Sequence, residues 1–167
     1  MIHRDATPAD AAAIAGLARE TFTETFGHLY SPENLAAFLT SHTPADWARV
    51  LAEPAVAVRV IEVDGGLVGY ARVGPPTLPI EPRGRAVELR QFYLLKPWHG
   101  GGHAQTLMDW VIATARASSA DELFLSVFVD NVRAQRFYAR YGFEDVGRYA
   151  FMVGSHEDED RLMRLAL

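Results

Sequence analysis

The sequence contains no cysteine among its 167 residues. This absence excludes disulfide bonds, thiolate metal sites and a cysteine nucleophile at once. Long apolar runs are also missing, and the first ten residues, MIHRDATPAD, lack the basic and apolar regions of a secretory signal. We therefore expect no membrane span, no membrane partner and a cytoplasmic location.

Runs of basic residues are absent too, and the formal net charge is -5. Nucleic-acid binding depends on clustered cations that release counterions, so we expect no nucleic-acid partner, whereas a small cationic amine suits this charge. What the sequence does have is apolar residues, 49% of the chain against 22% charged residues, as in an ordinary globular protein. The length predicts one domain over residues 1–167.

The first third of the chain has the pattern of helices. In TPADAAAIAGLARETFTETF, apolar residues recur at helical spacing between positions 14 and 26. Three segments begin alike, because Thr7, Ser31 and Thr43 each offer a hydroxyl N-cap before a proline and an acid in the first turn. We expect helices after each of these residues and a short strand at residues 2–4.

The remainder of the chain predicts strands that alternate with helices. AVAVRVIEV and LVGYARV flank a turn at residues 64–66 and predict a hairpin, and four later segments predict strands: AVELRQFYLL, ELFLSVFV, EDVGRYAFMVG and RLMRLAL. Helices are predicted over about residues 102–117 and within residues 130–142, where Asp130 or Asn131 can cap the start and Gly142 can end the helix. The acidic SHEDED is predicted to be the last turn. This order predicts an α/β protein (mixed α+β) whose mixed sheet has helices on both faces.

The stretch HGGGHA, residues 99–104, lies between a predicted strand and a helix and is open to several interpretations. A lipase-type oxyanion loop would need a G-x-S-x-G elbow, which the chain lacks. A zinc site has two histidines four apart but no third ligand nearby. Walker and Rossmann motifs fail, since no G-K-[ST] follows and position 105 is Gln105. Two interpretations remain from the residues alone: a phosphate-binding turn at a helix N-terminus, and a turn that binds no ligand.

A second module, DNVRAQRFYARYGF at residues 130–143, again places a helix after a strand. The two modules together resemble the GCN5-related N-acetyltransferase (GNAT) superfamily, most closely from Glu88 to Phe143, and the resemblance extends over nearly the whole chain. It implies a central, mostly antiparallel mixed sheet of about seven strands, in which the strand before HGGGHA splays from its neighbour. It also implies acetyl transfer from acetyl-CoA to a primary amine without a metal, in a protein that is often a homodimer.

The resemblance also implies site residues. The family's signature Q/R-x-x-G-x-G/A falls on residues 99–104, with histidines at two positions that usually hold other residues. Tyr138 matches the tyrosine that commonly protonates the departing thiolate. Contacts to the cofactor are implied for Tyr93, Leu94, Leu95, His99, Gly100, Gly101, Gly102, His103, Ala104, Asn131 and Tyr138.

The general base is left open by the sequence. One subset of the family places a catalytic glutamate where this chain has Ser126. Glu88 is our first candidate and Glu24, one helical turn from Glu20, is our second. Strict strand alternation predicts Glu88 and Arg90 on one face of their strand, with Gln91 and Tyr93 on the other.

Two functions follow from the resemblance. The segment ETFTETFGHLYSPENLAAFL and the ending RYAFMVG are similar to PaiA-like polyamine acetyltransferases, which implies spermidine or spermine as the acceptor. A peptide amine or an aminoglycoside is the other acceptor class considered. The alternative to an enzyme is a non-catalytic acyl-CoA-binding module that acts as a sensor or regulator.

Overall fold

Seven strands and five helices make up the computed structural model, which describes all 167 residues. The elements in chain order are β1 (Ile2–Asp5), α1 (Ala11–Phe26), α2 (Pro32–Leu39), α3 (Pro44–Ala52), β2 (Ala57–Val63), β3 (Gly66–Gly74), β4 (Ala86–Leu94), α4 (His103–Ala117), β5 (Glu122–Phe128), α5 (Val132–Arg140), β6 (Glu144–Val153) and β7 (His156–Ala166). None of the helices combines the length and apolar character that a bilayer crossing requires.

The predicted helix starts are confirmed at all three positions. The Ser31 hydroxyl accepts a hydrogen bond from the Asn34 N–H at the start of α2. Thr43 and Asp46 form a capping box at the start of α3. Thr7 precedes a short 3-10 turn that leads directly into α1. Local chemistry therefore explains where the N-terminal helices begin.

The strands form one sheet in the order β1-β2-β3-β4-β5-β7-β6, and every neighbouring pair is antiparallel except β4 and β5. The parallel pair is hydrogen-bonded in register only over three residues of β4, Ala86 to Glu88. Beyond Glu88 the two strands diverge, which confirms the predicted mixed sheet and its splay.

Helices cover both faces of the sheet, as predicted. On one face α1 and α3 bury a cluster that includes Ile14, Trp47, Val60 and Tyr70. On the other face α4 packs its apolar side over a larger cluster, whose buried members include Met108, Val111, Leu123, Leu125 and Phe143. Burial of these side chains from water is the main stabilising contribution to a fold of this kind.

The prediction that SHEDED is a turn is wrong. The turn contains only Gly154 and Ser155, and β7 already begins at His156. Asp158 and Asp160 are buried, whereas the glutamates between and before them are exposed. A strand sends alternate side chains to opposite faces, so the two aspartates point to one face of the sheet.

The predicted alternation along β4 is also wrong. Leu89 pairs with Val73 and Gln91 pairs with Arg72, so Arg90 is an extra residue in a β-bulge. Because the bulge shifts the alternation by one residue, Glu88, Gln91 and Tyr93 share one face of the sheet.

Candidate active site

A cavity of about 1190 Å³ lies where β4 and β5 diverge. Its wall includes residues of both strands, of the loop before α4, of α5, of β7 and of the N-terminal helices. Strands that stop pairing leave backbone N–H and C=O groups free on their facing edges. The splay therefore provides a slot in which a linear molecule can pair with the β4 backbone.

The glycine loop forms one end of this cavity. Gly100 and Gly102 have φ angles of 84° and 81°, and Gly102 is the N-cap of α4. A Cβ atom on Gly101 would lie 2.8 Å from Nε2 of His103. The positive φ angles of Gly100 and Gly102 favour glycine, and the loop presents the unpaired N–H groups of a helix N-terminus, which attract anions.

His99 ties the glycine loop to two other elements. Its Nε2–H donates to the Leu94 carbonyl at 2.7 Å, and its Nδ1 accepts from the Arg133 guanidinium at 2.8 Å. A carbonyl can only accept and a guanidinium can only donate, which fixes the tautomer of the neutral ring. The backbone carbonyl of Leu94, a residue for which the resemblance implies contacts to the cofactor, is therefore engaged by this histidine.

Helix α5 adds positive charge to the same end. Asn131 caps the helix by accepting from the Ala134 N–H, as predicted, and it lines the cavity. Arg133, Arg136 and Arg140 line the cavity as well. The Arg133 guanidinium reaches the glycine loop through His99, and the other two guanidinium groups follow it along the cavity wall. Guanidinium groups and a helix N-terminus fit the phosphates of coenzyme A, and these residues would hold it.

Tyr138 lies further along the cavity, with 7% of its surface exposed. Its ring makes edge contacts with Phe92 and Phe143. Burial, and to a lesser degree the neighbouring Tyr93, raises the pKa of the Tyr138 hydroxyl. The hydroxyl therefore stays protonated at neutral pH and can act as a proton donor.

The opposite end of the cavity is aromatic and acidic. The rings of Phe22 and Phe38 stack with centroids 4.1 Å apart, and further lining rings are those of Phe26, Tyr30, Phe128, Tyr149 and Phe151. Among these rings the Tyr30 hydroxyl donates to the Asp158 carboxylate, and Nε2 of His156 lies 3.2 Å from the same carboxylate.

Asp160 is the second buried acid at this end, and it has a different environment. Burial raises its pKa to about 6, the nearby Ser126 hydroxyl opposes this rise, and the charge of Asp158 adds to it. Ser126 and Asp160 lie on the neighbouring strands β5 and β7, and both line the cavity. Asp160 is thus an acid that changes charge close to neutral pH.

The two predicted bases occupy different places. Glu88 is buried at the cavity wall, where its carboxylate accepts hydrogen bonds from the Thr77 N–H, the Thr77 hydroxyl and the Leu78 N–H. Glu24 accepts from the Lys96 N–H at 3.1 Å and is not part of the cavity wall. Glu20 is exposed. The carboxylates of both candidate bases, Glu88 and Glu24, therefore hold a loop in position.

The structure brings most of the predicted cofactor residues to the cavity wall, namely Tyr93, Leu94, His99, Gly100, Ala104, Asn131 and Tyr138. Leu95 donates its N–H to the Val68 carbonyl instead, and His103 packs against His3 and Trp98. No three histidine or acidic side chains come together as a metal site. Sequence reasoning missed the α5 arginines, whose spacing of three and four residues was a signal, and the two β7 aspartates.

Comparison with known proteins identifies the family. The family model described as acetyltransferase (GNAT) family matches residues 13–143. An uncharacterized N-acetyltransferase of Mycobacterium tuberculosis is 37% identical over 155 residues, which is 92% of this chain and 96% of the relative. The chain belongs to the GNAT family. It is an acyl-CoA-dependent N-acetyltransferase with acetyl-CoA as co-substrate, and the non-catalytic alternative is not favoured.

Two further relatives differ in the acceptor that their names state. The L-amino acid N-acetyltransferase AaaT of Escherichia coli is 30% identical, with 80% of this chain and 85% of the relative covered. A probable spermine N(1)-acetyltransferase of Bacillus subtilis is 30% identical over 90 residues, which is 53% of this chain and 59% of the relative. The crystal structure of the PaiA N-acetyltransferase of Thermoplasma acidophilum with coenzyme A has the same fold, with a TM-score of 0.78, 17% identity, and 99% and 98% of the chains covered.

Proposed function

We propose that the enzyme acetylates a primary amine of an aliphatic polyamine, such as spermidine or spermine, by direct attack of the amine on acetyl-CoA. The observation that carries this proposal is the pair of buried aspartates, Asp158 and Asp160, which line the cavity together with an aromatic wall. The α5 arginines thus offer positive charge for an acyl-CoA phosphate, and the two β7 aspartates offer carboxylates for a cationic acceptor.

A polyamine combines cationic nitrogens with apolar methylene segments, and this end of the cavity offers a partner for each. Carboxylates bind ammonium groups by charge-assisted hydrogen bonds, and rings such as Phe22, Phe38 and Tyr30 stabilise cations and cover methylenes. The name of the Bacillus subtilis relative, a probable spermine N(1)-acetyltransferase, supports the same acceptor class.

An amino acid is the second candidate acceptor, because one observation favours it. The buried Nε of Arg72 and the buried Oε1 of Gln91 have no hydrogen-bond partner, and these two residues are paired across β3 and β4 beside the cavity. An unpartnered guanidinium N–H would suit a carboxylate. The name of the E. coli relative supports this candidate.

The chemistry requires three groups of the chain. The backbone N–H of Leu94, on the edge of β4 that β5 leaves free, would stabilise the oxyanion, an effect of about 3 kcal/mol per donor. Tyr138 would protonate the departing thiolate. A base must take a proton from the amine, since an alkylammonium with a pKa of about 10.4 is almost fully charged near pH 7.

The first experiment measures amine-dependent release of coenzyme A with a chromogenic thiol reagent. The panel contains spermidine, spermine, putrescine, amino acids, short peptides and aminoglycosides, and a chain without cysteine gives no thiol background. We expect the highest kcat/KM with spermidine or spermine. A higher kcat/KM with amino acids would contradict the polyamine proposal and favour an amino acid as the acceptor.

A matched pair of variants tests the acceptor end. Asp158→Asn should raise the KM for spermidine at least tenfold, because it removes a buried negative charge worth about 1.5–3 kcal/mol in a charged hydrogen bond. Glu157→Gln changes the same charge on the exposed face of β7 and should leave KM unchanged. Equal KM values for the two variants would contradict a cationic acceptor at this end.

A further inference from the structure

We propose that Asp160 is the general base of the acetyl transfer and takes the proton from the ammonium group of the acceptor. The assignment rests on the direct transfer proposed above, but not on which amine is the acceptor. It adds a catalytic residue on β7, a strand whose first half the sequence predicted to be a turn.

The position of Asp160 is the first support. It is 6% exposed, lines the cavity and pairs in register with Phe128 at the end of β5, on the open side of the splay. Two residues back on β5 is Ser126, which also faces the cavity and lies beside the Asp160 carboxylate. A carboxylate reaching in from β7 thus occupies the space next to a strand position where this chain has only a hydroxyl.

Asp160 also lies close to the other reacting groups. Burial, and then the charge of Asp160, raises the pKa of Tyr93, and Tyr93 contributes in the same way to the high pKa of Tyr138. Tyr93 on β4 is therefore near both side chains, and all three line the same cavity. The proposed base on β7 and the proposed acid on α5 thus line one cavity at the splay, where the acceptor and the thioester would meet.

The competing carboxylates are held by other groups. Glu88 accepts three hydrogen bonds from Thr77 and Leu78, and Glu24 accepts one from Lys96 outside the cavity wall. Asp158 is bound by Tyr30 and His156. Among the groups that shift the pKa of Asp160, only the Ser126 hydroxyl acts through a hydrogen bond, so a carboxylate lone pair is free to receive a proton.

The proton balance closes without a further reactant. The Asp160 carboxylate takes one proton from R–NH3⁺, and the nitrogen lone pair forms a C–N bond with the thioester carbon while the carbonyl π electrons move to oxygen. When the oxyanion collapses, the C–S bond breaks and the sulfur takes the Tyr138 proton. The second nitrogen proton then returns to the Tyr138 oxygen, and Asp160 releases its proton to water.

This role predicts a particular pH profile. The reactive form pairs ionised Asp160 with a charged amine, so kcat/KM should rise through a pKa of about 6 and stay level up to about pH 9. In Asp160→Asn the amine must enter already neutral. Its kcat/KM should be about 100- to 1,000-fold lower at pH 7 and should rise about tenfold per pH unit toward the ammonium pKa near 10.

The experiment measures these profiles with spermidine, or with the amine that the panel selects in its place. The groups facing Asp160 include Asp158, Tyr30, Tyr93 and Tyr149, and His156 is the nearby imidazole, in contact with Asp158. His156→Gln should keep the rise of kcat/KM near pH 6 that the wild type shows. Acetyl-CoA affinity measured by calorimetry should be unchanged in both variants, which shows that each is folded.

A rescue variant separates catalysis from structure. Ser126→Glu in the Asp160→Asn background returns a carboxylate from the neighbouring strand. The kcat/KM of this double variant at pH 7 should be at least tenfold higher than that of Asp160→Asn. If the rise of kcat/KM near pH 6 survives in Asp160→Asn, the assignment is overturned. If that rise is lost in Glu88→Gln or Glu24→Gln, the role of the base belongs to that glutamate. Activity with another amine but not with spermidine would remove the polyamine and leave the Asp160 profile as the test.

Discussion

Tyr138 is the residue whose proposed role the enclosed cavity supports most directly, because burial keeps its hydroxyl protonated. Tyr138→Phe removes the proton donor and leaves the ring contacts with Phe92 and Phe143 in place. We expect kcat to fall about 100-fold or more and the acetyl-CoA dissociation constant to stay within twofold. Steady-state kinetics and calorimetry measure the two quantities.

Tyr141→Phe is the matched control for this substitution. Tyr141 follows the same helix, but its hydroxyl donates to the Gln105 carbonyl and the residue does not line the cavity. We expect unchanged turnover in this variant. If both variants lose turnover equally, the effect comes from helix α5 as a whole; if neither does, Tyr138 has no part in the reaction.

The glycine loop before α4 shows how an element can depend on one backbone conformation. Gly102 has a φ of 81° and no atom within 4 Å of an added Cβ, so Gly102→Ala meets no clash and isolates the conformational cost. We expect a loss of about 1–2 kcal/mol in the free energy of unfolding and a several-fold weaker acetyl-CoA affinity. Urea denaturation and calorimetry test both.

A second glycine provides the control for the loop. Gly16 lies exposed in the interior of α1, also with no atom within 4 Å of an added Cβ, but with helical φ. Gly16→Ala should therefore stabilise the protein by about 0.5–1 kcal/mol and leave acetyl-CoA binding unchanged. Similar stabilities for the two alanine variants would contradict a conformational requirement at Gly102.

The elements differ in how far the sequence could predict them. Helix starts at Ser31 and Thr43 follow from local chemistry, since the cap and its partner are three residues apart. The bulge at Arg90 has no such signal, because it is set by the pairing of β4 with a distant strand. In HEDED both faces of the strand carry acids, so the alternation of β7 lacks the contrast in hydropathy that usually reveals a strand.

At the scale of the whole molecule, the resemblance predicted the fold and its splay, while the charges at the two ends of the cavity became visible only in three dimensions. The arginines come from α5 and the aspartates from β7, separated by more than fifteen residues, and only the sheet order places β7 next to β5. A net charge of -5 therefore conceals a cavity whose wall carries both basic and acidic side chains.

The buried acids also determine how global stability depends on pH. The pKa of Asp160 is raised from 3.8 to about 6 in the folded protein, so the folded state binds a proton more tightly than the unfolded state. Ionised Asp160 then costs up to about 3 kcal/mol above pH 6, and this cost disappears below pH 3.8. Asp160→Asn should accordingly gain stability relative to wild type as the pH rises from 4 to 8.

Asp10 provides the comparison of opposite sign. Its hydrogen-bonded pair with Arg4 holds the pKa of Asp10 below its ordinary value, so this group stabilises the protein above pH 3.8 and loses that contribution as the pH falls. Asp10→Asn should be less stable than wild type at pH 8, with a difference that shrinks toward acid pH. Urea midpoints between pH 2 and pH 8 measure both trends, since the Asp160 difference changes between pH 4 and pH 8 and the Asp10 difference changes below pH 3.8. Parallel curves for wild type and Asp160→Asn would show that Asp160 titrates as an ordinary exposed carboxylate, and a base with its pKa near 6 would then be ruled out at this position.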